Sequence, residues 1–406
     1  MLLLSHTKTM RQMILVLLSC MIFLSVAVGA TRRVAANLQR AINEAPDGDT
    51  LMVASGRYEA EPSPFVEELC GNCLQHRTTV VATKGFYVQG KSLTVVGEEA
   101  EHTILVTNAG YGFLFLESPN SVLSNLTVTG GKRDTSGNAT DAGVVVKFSR
   151  VTIHNVRIMD NTKRLDSVVV GTGGTFGREA SELIIDHCLI KNNTWDGIAL
   201  YRGTSAFITD NAIDQGRGAG IGITWDATAT VLRNSISNYW KGIGTFGTSR
   251  AVVRNNAVFD NLGWGLVVTG SSFMDASNNV INHNGNCGVA PWDSAASGIF
   301  TNNIITNNGW RREWVCPQVG YWLNADSLRF ESSYNDVWNN AHGNYRNVGD
   351  MTDSHGNTSV DPQFVGETDF RIKDSSPLKK TGNPSLTNRD GSRSDIGITG
   401  GQSARR

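Results

Sequence analysis

Five side chains in the middle of the sequence combine proton-transfer groups with cations. Lys147, Tyr201 and Arg202 follow short apolar segments, and Asp196 and Asp226 stand close to them along the chain. Carboxylates, phenols and amines move protons when their pKa values suit the reaction, and cations stabilise negative charge. These residue types predict acid–base chemistry beside an anionic group, and the five are the candidate catalytic residues.

Aromatic and basic side chains surround these five residues. All nine tryptophans fall between residues 195 and 338. Aromatic faces suit the apolar faces of sugar rings, and arginine and lysine suit sugar carboxylates. The pattern predicts a groove that binds an acidic polysaccharide, although about half of the tryptophans are equally well explained as covers for corners of the fold. The candidate binding residues are Arg178, Trp225, Trp240, Lys241, Trp264 and Trp292.

Two glycine-rich polar segments precede the first of the tryptophans. In the segment 130–141, Asp134 and Asp141 offer hard oxygen ligands that suit Ca²⁺, the one cofactor that the sequence suggests. Their spacing matches no standard calcium loop, so an ordinary hydrated loop is the alternative. The segment 171–179 is predicted to be a second loop, forming the other bank of the groove.

The elements that position these residues are set by a repeat. Asparagine, any residue, then isoleucine or valine recurs at gaps of 23, 22, 23, 24 and 32 residues. A period of this size indicates a stack of similar small units. We expect the asparagines to form side-chain ladders and sharp corners rather than catalytic groups. The pairs are Asn211/Ile213, Asn234/Ile236, Asn256/Val258, Asn279/Ile281, Asn303/Ile305 and Asn335/Val337.

Each unit contains short stretches of alternating valine and isoleucine bounded by glycine, asparagine and aspartate, which predict strands and turns. Repeated units pair their strands in parallel, so the predicted fold is all-β, a single-stranded right-handed parallel β-helix with an N-terminal capping helix. In the strand that begins after each repeat glycine, the second and fourth positions are expected to face outward. The second position is small, and the fourth forms a column of large side chains: Lys147, Tyr201, Thr224, Phe246, Thr269 and Trp292.

The N-terminal segment, the cysteines and the charge balance indicate the domain organisation and the cellular location. Residues 1–30 resemble a secretory signal, 31–60 an N-terminal cap, 61–345 the β-helix and 346–406 a C-terminal closing segment. Export makes the disulfides Cys70–Cys73 and Cys287–Cys316 plausible, and Cys188 is expected to be a buried filler. The 36 basic and 37 acidic residues argue against a nucleic-acid partner. We expect a secreted, periplasmic or extracellular monomer without a membrane span.

Both ends of the mature chain carry family patterns. Residues 38–45 form an amphipathic helix pattern, followed by Asp47-Gly48-Asp49-Thr50 and Gly56-Arg57-Tyr58; near the other end stand Asp361-Pro362-Gln363-Phe364 and Asp395-Ile396-Gly397. In these motifs the chain resembles the pectin-lyase-like superfamily of right-handed parallel β-helix proteins. The resemblance covers essentially all of the mature chain. It is specific for the fold and weak for the function, because this scaffold hosts lyases, epimerases, hydrolases and non-enzymes.

The resemblance implies a reaction. Many members of the superfamily remove the proton at C5 of a uronate, which requires a cation, a base and an acid. On that basis Arg202 would bind the carboxylate, Tyr201 or Lys147 would transfer the proton, and Asp226 or Asp196 would orient the arginine or hold a metal. A polysaccharide lyase is the first expectation. A uronate C5-epimerase, a non-catalytic polysaccharide-binding protein and a glycoside hydrolase remain open as alternatives. The paired aspartates of the hydrolases and the Asp-Pro-His-Asp motif of alginate epimerases are absent, so the motifs do not select one activity.

Overall fold

The computed structural model describes residues 29–69, 78–325 and 329–405, in which short strands assemble into three long sheets. Sheet A contains, in spatial order, β1 (Thr31–Val34), β2 (Thr50–Val53), β6 (Thr94–Gly97), β9 (Ser121–Ser124), β12 (Arg150–His154), β15 (Glu182–Asp186), β18 (Ser205–Thr209), β21 (Thr228–Leu232), β24 (Arg250–Arg254), β27 (Phe273–Ser277), β30 (Ser297–Thr301) and β33 (Phe330–Ser333).

Sheet B contains β3 (Gly56–Glu59), β7 (Thr103–Val106), β10 (Thr127–Thr129), β13 (Arg157–Met159), β16 (Leu189–Lys191), β19 (Ala212–Asp214), β22 (Ser235–Ser237), β25 (Ala257–Phe259), β28 (Val280–Asn282), β31 (Ile304–Thr306) and β34 (Asp336–Trp338). Sheet C contains β4 (Ser63–Glu67), β5 (Val80–Gln89), β8 (Tyr111–Leu116), β11 (Ala142–Lys147), β14 (Gly173–Arg178), β17 (Ile198–Leu200), β20 (Ala219–Ile223), β23 (Lys241–Thr245), β26 (Trp264–Val268), β29 (Val289–Pro291), β32 (Tyr321–Trp322) and β35 (Tyr345–Arg346).

Each turn of the coil contributes one strand to each sheet, and neighbouring turns pair in parallel. In sheet B, Ile213 pairs with Ile236 and Ile236 with Val258, so successive anchors of the repeat stack directly on one another. Turns of this kind are spaced by about 4.8 Å, the distance between hydrogen-bonded strands. Among the described strands, only β4 and β5 pair antiparallel. The predicted parallel β-helix is confirmed.

The interior of the coil is a column of apolar side chains supplied by all three sheets. In sheet C, Ile198, Ile221 and Ile243 are fully buried and belong to this central core. Ala199, one position further along, belongs instead to a separate cluster on the outer face of the sheet. The predicted alternation of inward and outward positions in sheet C is therefore confirmed, and the outer face carries packing of its own.

A ladder of buried asparagines stabilises one corner of the coil. Asn256 illustrates it: its Nδ2 donates to Asn279 Oδ1 at 3.0 Å, and its Oδ1 accepts from both the backbone N and the Nδ2 of Asn234, at 2.9 and 3.0 Å. The predicted ladder is confirmed, from Asn211 to Asn335, and it continues to Asn357. The corner itself is made by the preceding residue, such as Asn255 with φ 55°, so ladder and corner are the tasks of two adjacent positions.

A second asparagine ladder, which the sequence analysis missed, lies five residues further along each turn. Asn261, Asn284, Asn308 and Asn340 donate side-chain amides from one to the next at 2.9–3.0 Å. The separations of 23, 24 and 32 residues repeat those of the first ladder. Tyr239 replaces the asparagine one turn earlier, and its backbone N donates to Asn261 Oδ1.

The predicted capping helix α1 spans Leu38–Glu44 at the N-terminal end of the coil. Asn37 caps it, because its side chain accepts a hydrogen bond from the backbone N of Arg40 at 3.1 Å. Leu38 and Ile42 are 1% exposed and pack into the central core. The helix thereby covers apolar side chains that the first turn would otherwise leave in water.

The C-terminal segment covers the side of the coil as well as its end. Tyr345, Val348 and Met351 pack against the central core at the last turn. Beyond them, Phe370 and Ile396 pack on residues of sheet B that face outward. The chain then reaches the middle of the coil, where Arg405 contacts Asp210. The C-terminal segment follows this path because it buries apolar side chains on the outer face of sheet B that would otherwise be exposed to solvent.

The prediction that residues 171–179 form a loop is wrong. Gly173–Arg178 form β14, which pairs in parallel with β11 and β17. Glycines fit this strand because neighbouring turns leave little room: a Cβ at Gly174 would meet the Gly197 carbonyl and the Ile190 side chain, and one at Gly177 would meet the Leu183 side chain.

Candidate functional site

The outer face of sheet C divides into three zones along the axis of the coil. At the N-terminal end, an apolar cluster includes Tyr111, Val145, Phe176 and Tyr201. At the C-terminal end, a second cluster includes Trp264 and Trp322. Between the clusters the second, outward positions of β20 and β23 are the glycines Gly222 and Gly244, and this middle zone carries the charged residues discussed below.

In the N-terminal zone, cations predicted to face a ligand are covered by the chain itself. Lys147 and Arg178 pair in register on β11 and β14 and are 6% and 0% exposed. Glu67, at the end of β4, forms ion pairs with both, and Arg178 Nη2 also donates to the Leu69 carbonyl and, at 3.0 Å, to Glu179. Burial lowers the pKa of Lys147, Arg178 acts in the same direction, and Glu67 opposes them.

The middle zone brings together a carboxylate and a lysine over a glycine floor. Asp196 Oδ1 accepts a hydrogen bond from the Ala219 backbone N at 2.5 Å. A Cβ on Gly222 would lie 3.9 Å from Asp196 Oδ2, and one on Gly244 would lie 3.3 Å from Lys241 Cδ. Small residues are therefore required there if a ligand is to reach these side chains.

Asp196 has the pKa expected of an acid–base residue. Burial raises the pKa of Asp196 to about 6, against the opposing effects of the Ala219 backbone N and the positive charge of Lys241. The residue as a whole is nonetheless only half-buried. A carboxyl group that titrates near neutral pH in a partly accessible position is a candidate general acid or base.

Three of the other predicted residues border this zone. Tyr201 is 7% exposed and packs edge-on against Phe176, with ring centroids 5.8 Å apart. Arg202 lies over the ring of Trp225 at 5.4 Å, in the left-handed conformation with φ 33°. Burial raises the pKa of Tyr201, and the neighbouring Asp196 raises it further.

Asp226 is exposed, and one of its carboxylate oxygens accepts from the Gly203 backbone N at 2.7 Å. That contact ties the turn that carries Arg202 to the next turn of the coil. We call Asp196, Tyr201, Arg202, Lys241 and the two floor glycines the sheet C site.

Tryptophans of successive turns pack edge-on or tilted against one another and form a wall in the C-terminal zone. The ring centroids of Trp240 and Trp264 are 5.6 Å apart, those of Trp264 and Trp292 are 5.4 Å apart, and those of Trp240 and Trp314 are 4.9 Å apart. Arg311 lies over Trp240 at 5.0 Å. Trp264 is buried and supports the wall, whereas Trp314 is 71% exposed.

The sequence analysis did not select three residues that shape this face: Glu67, Arg311 and Trp314. Trp314 lies three residues after Arg311 in the sequence, and that closeness of an aromatic and a basic residue was an available signal. Glu67 had none, because it lies 80 residues before Lys147.

The two aspartates predicted to bind Ca²⁺ lie side by side but are bonded to protein groups. Asp141 forms a buried ion pair with Arg133 and accepts from the Asp134 backbone N at 2.6 Å. Asp134 accepts from the backbone N and the hydroxyl of Thr83 at 2.9 and 2.7 Å. Burial raises the pKa of Asp141 to about 7, against the effect of Arg133. These bonds give both carboxylates structural partners, and Ca²⁺ binding there stays a prediction.

The cysteines of the predicted second disulfide are adjacent. Cys287 and Cys316 are buried free thiols with their sulfur atoms 2.9 Å apart, inside the tryptophan wall. Burial raises the pKa of the Cys287 thiol, and Cys316 raises it further. Cys188 is buried in the central core, as expected of a filler. Cys70 and Cys73 lie outside the described residues.

A second groove, of about 730 Å³, lies on the outer face of sheet A, away from the sheet C site. Ile184 and Phe207 are 47% and 40% exposed along its floor. Arg150 and Glu182 form an ion pair at one end, and Arg250 lies over the ring of Phe273 at 5.7 Å. The lining of this groove is mainly apolar.

The chain belongs to the protein family described as the right handed beta helix region, whose profile matches residues 75–236 and 173–341. Together these ranges cover more than half of the sequence. The described residues include no helix that is long and apolar enough to cross a membrane.

Solved structures of similar fold include carbohydrate-active enzymes. The A-module of the mannuronan C-5 epimerase AlgE4 from Azotobacter vinelandii is 13% identical, with TM-score 0.48, over 80% of this chain and 91% of that one. Pectate lyase Pel9A is 14% identical, with TM-score 0.39, over 91% and 96%. The PL6 family alginate lyase AlyGC is 14% identical, with TM-score 0.41, over 93% and 59%. Identities this low reflect the fold and not the activity. No curated protein matches the chain.

Proposed function

We propose that this protein is an exported enzyme that cleaves an acidic, uronate-containing polysaccharide by β-elimination. The observation that carries the proposal is the sheet C site, where Asp196 and Lys241 flank the glycine floor between two aromatic clusters. A carboxyl group of pKa about 6 and an adjacent cation are the minimal equipment for removing a proton next to a carboxylate.

The shape of the outer face suits a chain-like substrate. The floor glycines Gly222 and Gly244 let sugar rings approach the backbone of sheet C, while Trp225 and Trp240 stand at the borders of the two clusters. Aromatic side chains there would pack against sugar rings. A polysaccharide lying along the coil axis would cross several turns, which matches the length of the tryptophan wall.

The reaction assigns one task to each group. Lys241 and Arg202 neutralise the uronate carboxylate, which makes the C5 proton more acidic. Asp196 removes that proton, the electron pair of the C5–H bond becomes the C4=C5 double bond, and the C4–O4 bond breaks. Tyr201, which burial keeps protonated, gives its proton to the departing O4. Asp226 positions the turn that carries Arg202.

Asp196 and Tyr201 transfer the protons in this mechanism, and Lys147, a proton-transfer candidate from the sequence, does not. Its amine is ion-paired with Glu67 at the end of β4, whereas Asp196 is half-buried beside the glycine floor. Lys147 and Arg178 instead support the wall of the groove from below, through the ion pairs with Glu67. Export rests on the apolar run near the N-terminus, within residues 1–28, which lie outside the described part of the chain.

A non-catalytic polysaccharide-binding protein is the second candidate, and the groove on sheet A is the observation that favours it. Its exposed Ile184 and Phe207 suit the apolar faces of sugars without any acid–base pair. On this alternative, binding would be lost on replacing Phe207 and unaffected by changes at the sheet C site.

The test is an activity screen on a panel of uronate polymers, with and without added Ca²⁺, that follows the ultraviolet absorbance of unsaturated uronate ends. The proposal expects an increase on at least one polymer, and a loss of at least about 100-fold in rate for Lys241→Ala or Arg202→Ala. Lys191→Ala is the control, because Lys191 pairs with Asp214 on sheet B. Full activity in both site variants would refute the assignment.

A further inference from the structure

Two histidines and an aspartate form a cluster on the outer surface, away from the sheet C site. His154 ends β12, Asp186 ends β15 one turn later, and His187 follows at the corner. One ligand atom from each residue lies within 4.8 Å of those of the other two. We call these three residues the His–Asp–His cluster.

The register of sheet A and the corner conformation create the cluster. His154 and Asp186 are partners across the β12–β15 pair, so their side chains leave the same face of adjacent strands. His187 adopts φ 53°, the left-handed conformation of this corner in every neighbouring turn, and its ring returns toward Asp186. Asparagine or aspartate occupies most equivalent corners, including Asn155 and Asp210, so a histidine at this point departs from the repeat.

The distances match the edges of a metal coordination sphere. Asp186 Oδ2 lies 2.8 Å from His154 Nδ1 and 3.0 Å from His187 Nδ1. Bonds of about 2.1 Å from a metal to nitrogen and oxygen place neighbouring ligand atoms about 3.0 Å apart at the right angles of an octahedral site and about 3.4 Å apart in a tetrahedral one. The two imidazole rings are 5.7 Å apart and inclined at 62°, so they approach the carboxylate from different directions.

The cluster is accessible and preformed. The side chains of His154, His187 and Asp186 are 51%, 61% and 20% exposed, so an ion could enter from solvent and keep water molecules on its remaining positions. Because the three ligands stem from two paired strands and a fixed corner, little ordering would be needed to bind.

The type of ligand selects the type of metal. Imidazole suits zinc, copper, nickel and iron, whereas calcium and magnesium prefer oxygen ligands alone. The geometry points to a surface site for a divalent transition metal, of the zinc or nickel type, held by His154, Asp186 and His187. This site is independent of the proposed function, because it lies on sheet A and the sheet C site lies on another face.

The competing description is a hydrogen-bonded cluster in which the two rings share Asp186 and no metal binds. The chain provides a matched control for it: His283 Nδ1 lies 2.6 Å from Asp260 Oδ1, with a similar side-chain exposure of 51%, but only one histidine is present. A single imidazole–carboxylate pair supplies too few ligands to hold a metal tightly.

The experiment is calorimetric titration of Zn²⁺, and separately of Ni²⁺, into the tag-free protein. We expect one equivalent of metal to bind. The dissociation constant should be at least about 100-fold higher in His154→Ala and in His187→Ala, and it should be unchanged in His283→Ala. Bound Co²⁺ would give a visible absorption spectrum that identifies nitrogen ligands and disappears in the same variants. The melting temperatures in the absence of metal should be unaffected, since the replaced rings are exposed.

Three results would overturn the proposal. One is the absence of binding to the folded wild-type protein at millimolar metal. Another is stoichiometric binding that persists in the double variant His154→Ala, His187→Ala. A loss of binding in His283→Ala alone would equally assign the metal to another place.

Discussion

Replacing Asp196 with asparagine should reduce activity and at the same time change how stability depends on pH. Asparagine has the same shape and can still accept the hydrogen bond from the Ala219 backbone N. It cannot carry the charge that burial disfavours, nor can it remove a proton. The two consequences come from one pKa and are measurable separately.

The sign and the magnitude of the stability effect follow from that pKa. Burial raises the pKa of Asp196 in the folded protein to about 6, above the value of 3.8 expected for an unfolded chain. The folded protein therefore holds this proton more tightly, and the stability contributed by the group falls as the pH rises from about 4 to about 7. A shift of about 2 units corresponds to at most about 3 kcal/mol, and partial exposure reduces the expectation to about 2 kcal/mol.

The assay is urea-induced unfolding of wild type and Asp196→Asn at pH 4, 6 and 8, followed by circular dichroism. The stability of the variant relative to wild type should increase by about 2 kcal/mol between pH 4 and pH 8. In parallel, its rate on a uronate polymer should fall by about 100- to 10,000-fold, as expected for removal of a general base. A pH-independent difference in stability, or full activity, would refute the reasoning.

Asp214→Asn provides a control of opposite sign. Burial raises the pKa of Asp214, but hydrogen bonds from Asn238, Lys191 and Ser237 outweigh burial and hold its pKa below the usual value. Its ionised form stabilises the folded protein, and this stabilisation is lost as the pH falls toward the acidic range. Relative to wild type, Asp214→Asn should become less stable as the pH rises from about 3 to 6, with activity retained.

Three further predictions concern the scaffold. Asn256→Ala removes five hydrogen bonds, four of them buried, and should lower the free energy of unfolding by about 3–5 kcal/mol in urea titrations. Asn282→Ala loses one partly buried bond and should cost less than about 1 kcal/mol; equal effects would contradict the ladder account. Burial raises the pKa of Asp336 to about 8, so wild type should lose stability between pH 4 and pH 8. Asp336→Asn should reduce that loss, measured by thermal unfolding. The same dependence of stability on pH in the variant and in wild type would contradict this prediction. Mild oxidation should join Cys287 to Cys316, seen by mass spectrometry as a loss of two hydrogens, and should leave Cys188 reduced; persistent free thiols in all three would contradict it.

The parallel coil could be predicted because its determinants are local and repeat. Ile213, Ile236 and Val258 each mark one turn, and the structure stacks them in register. The second ladder obeys the same period and was equally visible, at Asn261 and Asn284, five residues after members of the first. It was missed because no isoleucine or valine follows it in a constant pattern.

The environment of the site was harder to predict, because it depends on contacts between distant parts of the chain. Asp196 was selected as a proton-transfer group and Lys241 as a cation for a sugar carboxylate, and the structure places both beside the glycine floor. The burial of Lys147 and Arg178 depends on Glu67, which reaches them from the antiparallel β4, outside the repeat. Periodicity gives no information about such a segment.

The most direct test of the central claim is proton NMR of a uronate polymer incubated with the protein in deuterium oxide. The account predicts new signals from the proton on the C4=C5 double bond of unsaturated ends, formed by wild type and reduced at least about 100-fold by Asp196→Asn. Deuterium exchange at C5 without new double bonds would instead indicate epimerisation at the same site. Neither signal on any uronate polymer, with the protein folded, would contradict the claim that the sheet C site removes the C5 proton.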